Sequence, residues 1–235
     1  METFLITGAN RGLGLELVRE LAAHPDSFVI VAIHLNATQD LLNIAEQNPD
    51  RVMITRMDVG DQKSILATAG EVSAKIPQLD VLINNAAIHP PAQEQSFEAA
   101  TRDQMMEVFQ MNAVGPLLVV RAFLELLKKS PRPRIINISS ERGSMTWQVG
   151  HNGYYSYSMS KAGLNMLTRL LAVDLQPYNV TTITVHPGWM RTKMGGAKAA
   201  LSPAESAHGI LELTNHLTPE QNGGFYKWNG ETHPW

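Results

Sequence analysis

The sequence predicts an α/β fold: a doubly wound parallel sheet of about seven strands with helices on both faces. Three patterns carry that expectation. Short apolar runs alternate with stretches of helical apolar period along the whole chain, which is the order a parallel sheet with crossover helices requires. The inner runs, such as Arg134–Ile138 and residues 180–185, are apolar nearly throughout, as strands covered on both faces must be. A glycine-rich turn joins the first run to the first helical stretch.

Taken in order, residues 3–6 form the first strand, and Leu13, Leu17, Val18 and Leu21 mark the helix after the turn. Residues 28–33 form the second strand, Leu41, Leu42 and Ala45 a helix, and residues 52–57 the third strand. A helix starting near Asp61 carries Ile65, Leu66 and Val72, and residues 79–83 are the fourth strand. His89-Pro90-Pro91 ends regular structure and opens an irregular connection to Thr101. Residues 102–129 read as one long helix, interrupted where Asn112, Gly115 and Pro116 predict a kink with Asn112 facing inward. The fifth strand is Arg134–Ile138, a second long helix spans residues 154–175, and the sixth strand spans 180–185. Ser202 followed by Pro203 marks a helix start. Residues 224–227 make a short edge strand. Without a repeat or linker, the chain reads as one domain over residues 1–235.

Candidate chemistry gathers at the carboxyl ends of these strands, where doubly wound sheets bind ligands. Gly8, Gly12 and Gly14 let the backbone approach a ligand closely, and the helix start beyond them offers N–H groups to a pyrophosphate. Asn10, Arg11 and Leu13 share that turn. The second strand ends at His34-Leu35-Asn36, with no carboxylate to take a ribose 2′-hydroxyl. Arg11 and His34 can receive a 2′-phosphate instead, so NADP(H) is favoured and NAD(H) stays open. Asp58, with Val59 after it, can accept from an adenine amino group or flank the following helix. The amides of Asn84 and Asn85 call for backbone partners, and Ala86 and Ala87 leave room beyond them.

Asn112 needs partners inside the long helix, either a structural hydrogen bond or a held water. Ser140, at the end of the fifth strand, is a hydrogen-bond donor or a cap. Tyr157 and Lys161 lie four residues apart, about 5–6 Å at Cβ on a helix. A fixed cation there favours phenolate and pulls the Tyr157 pKa below its usual value of about 10. Tyr154 and Tyr155 are rival phenols, but only Tyr157 has Lys four residues later. Met145 and Trp147, with Gly150, His151 and Asn152 beyond them, can wall a pocket. Trp189, Met190 and Met194 lie in a loop able to close over substrate.

Composition narrows the function classes. Nineteen Lys and Arg stand against 22 Asp and Glu, a net charge of -3, so no basic field draws nucleic acid or an anionic membrane. The absence of cysteine removes disulfides, thiolate metal sites and Cys nucleophiles. The first apolar run is too short for a secretion signal or membrane span, and a cytoplasmic protein is expected. Partners are small molecules or other chains, with no metal expected.

The motifs Thr7-Gly8 through Gly12 and Gly14, Asn84-Asn85-Ala86, the set Asn112, Ser140, Tyr157 and Lys161, and His186-Pro187-Gly188 with Thr192 run in the order of one family. The chain resembles the short-chain dehydrogenase/reductases over nearly its whole length. Asn10-Arg11 and the ending from Gly223 to Trp235 resemble the sniffer and C-signal branch of carbonyl-reductase-like members. Ala87 departs from the family's usual Gly, the interval between Ser140 and Tyr157 is longer than usual, and Glu141 adds an acid beside the serine.

That resemblance implies a Rossmann-like domain in which Pro187, Gly188 and Thr192 also contact the dinucleotide. It implies hydride transfer between nicotinamide and a carbonyl or alcohol. Tyr157 is then the general acid/base, Ser140 holds the carbonyl oxygen, Lys161 lowers the Tyr157 pKa and binds the nicotinamide ribose, and Asn112 holds a relay water. A hydrophobic or aromatic carbonyl substrate is expected from Met145, Trp147, Trp189 and Met194. Pairing through the two long helices into a homodimer or homotetramer is also implied. The rival reading is a dinucleotide-binding sensor that acts through a protein partner with little turnover, and a complete proton-donor set argues against it.

Overall fold

The structure is a computed structural model that describes residues 1–149 and 153–235; Gly150, His151 and Asn152 of the expected pocket wall lie outside the described residues. Strand and helix alternate as β1 (Glu2–Thr7), α1 (Gly12–Ala23), β2 (Ser27–Ile33), α2 (Gln39–Gln47), β3 (Val52–Arg56), α3 (Gln62–Ser73) and β4 (Val81–Asn84). Then follow α4 (Arg102–Phe109), α5 (Gly115–Leu127), β5 (Arg134–Ile138), α6 (Met145–Gln148), α7 (Tyr155–Asp174), β6 (Thr181–His186), α8 (Pro203–His216) and β7 (Phe225–Lys227). The pairings between these strands are all parallel, in the order β3-β2-β1-β4-β5-β6-β7. The chain reverses its direction of travel across the sheet between β1 and β4, the place where doubly wound sheets bind ligands at the strands' carboxyl ends.

Alternate residues of each strand feed two cores. Phe4, Ile6, Val29, Val31 and Ile83 pack against α1, α2 and α8. Leu5, Ile30, Leu82 and Ile135 face α3, α5 and α7 on the other side. Helix starts follow the residue types: Thr38, Asp61 and Thr101 accept from backbone N–H groups at the heads of α2, α3 and α4, and Ser202 with Glu205 forms a capping box on α8.

The predicted long helix of residues 102–129 is two helices joined by one wide turn, Gln110–Val114, closed by Gly115 N–H on the Gln110 carbonyl. Pro116 cannot donate to the carbonyl of Asn112 four residues back, which relaxes the ladder there. Gly115 is required at that point because a Cβ would stand 2.5 Å from the Val59 carbonyl oxygen. By length and composition residues 102–127 could cross a membrane, yet half of the apolar window is buried in this fold.

The amino edge of the sheet is closed by two buried charges. The Asp80 carboxylate accepts from Thr3 N (2.8 Å), Gln78 Nε2 (2.7 Å) and Ser130 Oγ (2.5 Å), tying β1 to the segment entering β4. Arg134 is 1% exposed, donates to the Thr214 carbonyl at 3.0 Å and pairs with Glu2. Removing the Asp80 carboxylate strands the buried Thr3 N–H. Asp80→Ala should cost roughly 3 kcal/mol of folding stability, read from urea unfolding midpoints at constant slope. A loss below about 1 kcal/mol would mean that water replaces these bonds.

Candidate active site

Six strand ends, helix α7 and the wide turn between α4 and α5 carry the predicted cofactor and catalytic residues. In the first turn Gly8 and Gly12 take φ of 66° and 57°, conformations that disfavour a side chain. A Cβ on Gly8 would stand 2.7 Å from Ala86 Cα, and one on Gly14 would stand 2.6 Å from Ala9 Cα. The Thr7 hydroxyl accepts from the N–H groups of Asn85 and Ala86, both at 3.0 Å, and Asn85 Nδ2 donates to the Thr7 carbonyl at 2.8 Å. The turn and the end of β4 are thereby held as one surface. Buried Leu13 anchors the turn to the core, and α1 begins with no side-chain cap and no acid in its first turn. That open helix start fits an anionic pyrophosphate.

Asn10 staples the turn to the β2–α2 loop, donating to the Asn36 carbonyl at 2.9 Å and accepting from Thr38 N at 2.7 Å. Arg11 is exposed beside it. His34 Nε2 lies 3.5 Å from the Asp58 carboxylate, and Arg56 Nε donates to the His34 carbonyl at 3.1 Å. These three border a cavity of about 370 Å³ with Asp61, Ser64 and Thr68. Asp58 also accepts from Gly60 N at 2.8 Å, while Asp61 caps α3, so Asp58 faces the cavity and its neighbour serves the helix. Val59 is buried under α5. Ala87 is half-buried beyond Ala86. At the far side Thr192 lies 3.5 Å from where a Gly12 Cβ would be, the Pro187 carbonyl accepts from Ser206 Oγ at 2.7 Å, and Gly188 takes φ of 80°.

The second cluster is built on α7. Tyr157 is 8% and Lys161 2% exposed, with the ammonium 5.7 Å from the phenol ring centre. Lys161 Nζ donates to the Ile138 carbonyl at 2.8 Å, at the end of β5. Ser140 follows there; its Oγ accepts from Arg142 N at 3.2 Å, and its side chain is near enough to the Tyr157 phenol to lower that group's pKa. Asn112, fully buried in the wide turn, accepts from Ile88 N and donates to the Ile88 carbonyl, both at 2.9 Å, and donates to Ser160 Oγ at 3.0 Å. Ser160 Oγ in turn donates to the Tyr157 carbonyl at 2.7 Å. These bonds supply the partners that a buried Asn112 requires.

The electrostatics differ from the sequence expectation. Burial raises the Tyr157 pKa to about 12, outweighing the Ser140 hydrogen bond and the Arg142 charge, which lower it. Burial also lowers Lys161 to about 7. The charge that lowers the phenol's pKa is that of Arg142, while burial reduces the hold of Lys161 on its proton. Glu141 turns away from the site: its N–H donates to His186 Nδ1 at 3.2 Å and its carboxylate lies 3.6 Å from Nε2.

The expected substrate wall is more open than predicted. Met145, Trp189 and Met194 are 74%, 57% and 52% exposed, and Trp189 Nε1 is engaged by the Gly195 carbonyl at 2.7 Å. Trp147 lies 5.5 Å from the Arg142 guanidinium. Tyr154 takes φ of 59° ahead of α7, and Tyr155 is exposed against Phe97. Neither offers the buried phenol that Tyr157 does.

Sequence reasoning passed over four residues. Gln95, fully buried, accepts from Ser156 Oγ (3.0 Å) and Tyr157 N (3.2 Å), capping α7 from a distant loop. Asn165 accepts from Ser139 Oγ at 2.7 Å and donates to the Gly143 carbonyl at 3.0 Å, clamping the Ser140 loop onto α7. His89 sits edge-on to Tyr157, ring centres 4.4 Å apart, and Arg142 lies 3.7 Å over the Tyr154 ring. Only Arg142, two residues after Ser140, had a local signal that could have found it.

A model of the short chain dehydrogenase family matches residues 2–201. The C-signal protein of Myxococcus xanthus is 37% identical over 161 residues, 67% of this chain and 93% of the relative. An uncharacterized oxidoreductase of Schizosaccharomyces pombe is 30% identical across 99% of this chain and 98% of its own. Among solved structures, the NADPH-bound carbonyl reductase from chicken fatty liver superposes with a TM-score of 0.93 at 33% identity, covering 100% of this chain and 99% of that one. The carbonyl reductase Sniffer of Drosophila melanogaster gives 0.93 at 32% identity, covering both chains fully.

The lowered Lys161 pKa makes stability depend on pH. Between about 7 and 10.5 the unfolded chain holds this proton and the folded chain does not, so stability rises with pH, by at most about 1.4 kcal/mol per unit. Wild type should gain stability over Lys161→Met as pH rises from about 7 to about 9.5, while the Tyr157 contribution, common to both proteins, drops out of the difference. Denaturant titrations at several pH values read this directly; a constant difference would mean that Lys161 stays charged in the fold.

Proposed function

The chain belongs to the short chain dehydrogenase family of oxidoreductases, and from that premise we propose that it reduces carbonyl groups with NADPH, or oxidises the alcohols in reverse. The observation that carries this reading is the buried Tyr157 phenol, with Lys161 beside it and the Ser140 side chain lowering its pKa, on the sheet edge that also bears the glycine turn. Bound NADP(H) supplies the hydride. Gly8 and Gly14 let the turn pack closely on Ala86 and Ala9, the uncapped head of α1 beginning at Gly12 suits the pyrophosphate, and Asp58, Val59, Asn85, Ala86 and Ala87, just beyond the ends of β3 and β4, would hold the rest of the dinucleotide. Pro187, Gly188 and Thr192 close the opposite side. Arg11 and His34 suit a 2′-phosphate, and the NADPH-bound carbonyl reductase neighbour supports that preference.

With a pKa near 12, Tyr157 keeps its proton across the physiological range and stands as an acid. It donates that proton to the carbonyl oxygen as charge develops there, while the Ser140 hydroxyl donates a second hydrogen bond to the same oxygen. Lys161 spends one hydrogen on Ile138 and keeps others for the nicotinamide ribose. Arg142 stabilises the phenolate left after transfer. The apolar residues of the two loops, Met145, Trp147, Trp189 and Met194, support a small substrate with apolar surface. Exposed Met106, Met159, Met166, Leu170 and Val173 on α4 and α7 support a homo-oligomer paired through those helices.

A donor lost from an oxyanion costs about 2.7–4 kcal/mol, so Tyr157→Phe should lower kcat by at least ~10²-fold with NADPH affinity nearly unchanged. Initial rates on an aldehyde, ketone and quinone panel, beside NADPH titration, check this; wild-type-like turnover in the variant would reject Tyr157 as the acid. Arg11→Ala should reduce the ratio of NADP⁺ to NAD⁺ affinity by about tenfold, as expected for losing a charge-assisted phosphate contact. Equal weakening of both dinucleotides would move the 2′-phosphate elsewhere.

A further inference from the structure

Arg142 occupies the single 3-10 turn that follows Ser140, and its side chain reaches back to Tyr154 at the head of α7. The guanidinium lies 3.7 Å over the Tyr154 ring and 5.5 Å from Trp147. Tyr154 and His89 stand 5.5 Å apart, and His89 meets Tyr157 at 4.4 Å, so one continuous wall runs from the catalytic phenol to the arginine. Desolvation and the nearby Arg142 and Lys161 charges hold His89 below its usual pKa, so the charge of this wall is that of Arg142. The neighbouring acid does not neutralise it, since the Glu141 carboxylate faces His186. Among the described residues Arg142 Nη1 is buried without a hydrogen-bond partner.

A ring beneath a guanidinium engages its face and leaves its N–H fork unspent. A half-buried cation whose fork is unspent is costly unless an anion completes it, and the fork matches a carboxylate with two parallel bonds. We propose that Arg142 binds a carboxylate of the substrate, and that the preferred substrates are planar, unsaturated or aromatic carbonyl compounds carrying a carboxylate at the far end from the reacting carbonyl. This rests on the reductase reading and refines its substrate class. The Tyr154 and His89 rings offer flat surfaces for the segment between the two groups, Tyr157 and Ser140 take the carbonyl oxygen, and Arg142 fixes the other end.

The test pairs 4-carboxybenzaldehyde with its methyl ester, which match in ring and aldehyde and differ in charge. With NADPH, wild type should favour the acid by about tenfold or more in kcat/KM, the size expected of a charge-assisted pair. In the NADP⁺ complex, calorimetric titration with 4-(hydroxymethyl)benzoate and its methyl ester should show a similar preference in Kd. Arg142→Met should collapse both ratios to about one, and Arg142→Lys, which keeps the charge without the fork, should give intermediate ratios. Ratios cancel any effect Arg142 has on the Tyr157 pKa, because that effect is common to both compounds. A wild type indifferent to the charge, or a preference surviving in Arg142→Met, overturns the proposal. Should neither aldehyde be reduced, the reductase reading falls while the titrations still decide whether Arg142 binds carboxylate.

Discussion

The carboxamide of Asn112 holds the site together. Fully buried, it binds both backbone groups of Ile88 beyond β4 and the Ser160 hydroxyl on α7, and Ser160 passes the connection to the Tyr157 backbone. Three elements distant in sequence thus meet at one side chain. The wide turn Gln110–Val114 and the donor missing at Pro116 open the helix where that side chain enters. A polar group in such a place is stabilising only when its partners are complete, and here both ends of the amide are used.

The same burial sets the chemistry. Excluding water from Tyr157 and Lys161 disfavours both charged forms, so the phenol keeps its proton and the ammonium loses part of its hold on one. A protonated phenol near a serine hydroxyl can donate to an oxyanion, the role proposed for Tyr157. Arg142, close enough to lower the Tyr157 pKa, supplies the positive charge that burial weakens at Lys161. The loop bearing Ser140 and Arg142 is itself braced, from α7 by Asn165 and from the end of the chain by the Trp235 carbonyl, which accepts from Thr146 N at 2.8 Å.

The sheet divides stability from reactivity. Its amino edge spends charges on internal partners, Asp80 on Thr3 and Ser130, Arg134 on Glu2 and Thr214. Its carboxyl edge holds glycines and short polar side chains that pin the backbone and leave space above it. Thr7 and Asn85 lock the glycine turn to β4 without filling the approach. Rigid support with an open surface suits the positioning of reactants that the proposed reduction requires.

The sequence by itself determined the order of the elements, the parallel sheet and the company that Tyr157 keeps. Periodicity and glycine placement are local, and helical spacing alone puts Lys161 beside Tyr157. The kink at Asn112 was legible for the same reason, since proline chemistry acts within a turn. What only the tertiary structure decided is the set of contacts between residues far apart in the chain: Gln95 capping α7, Asn165 holding the Ser140 loop, His89 against Tyr157. It also decided the charge states, because desolvation depends on how many neighbours surround a group in space. The lysine four residues from Tyr157 was readable, but its weak hold on a proton, and the arginine that bears on the phenol instead, follow from burial that no linear spacing records.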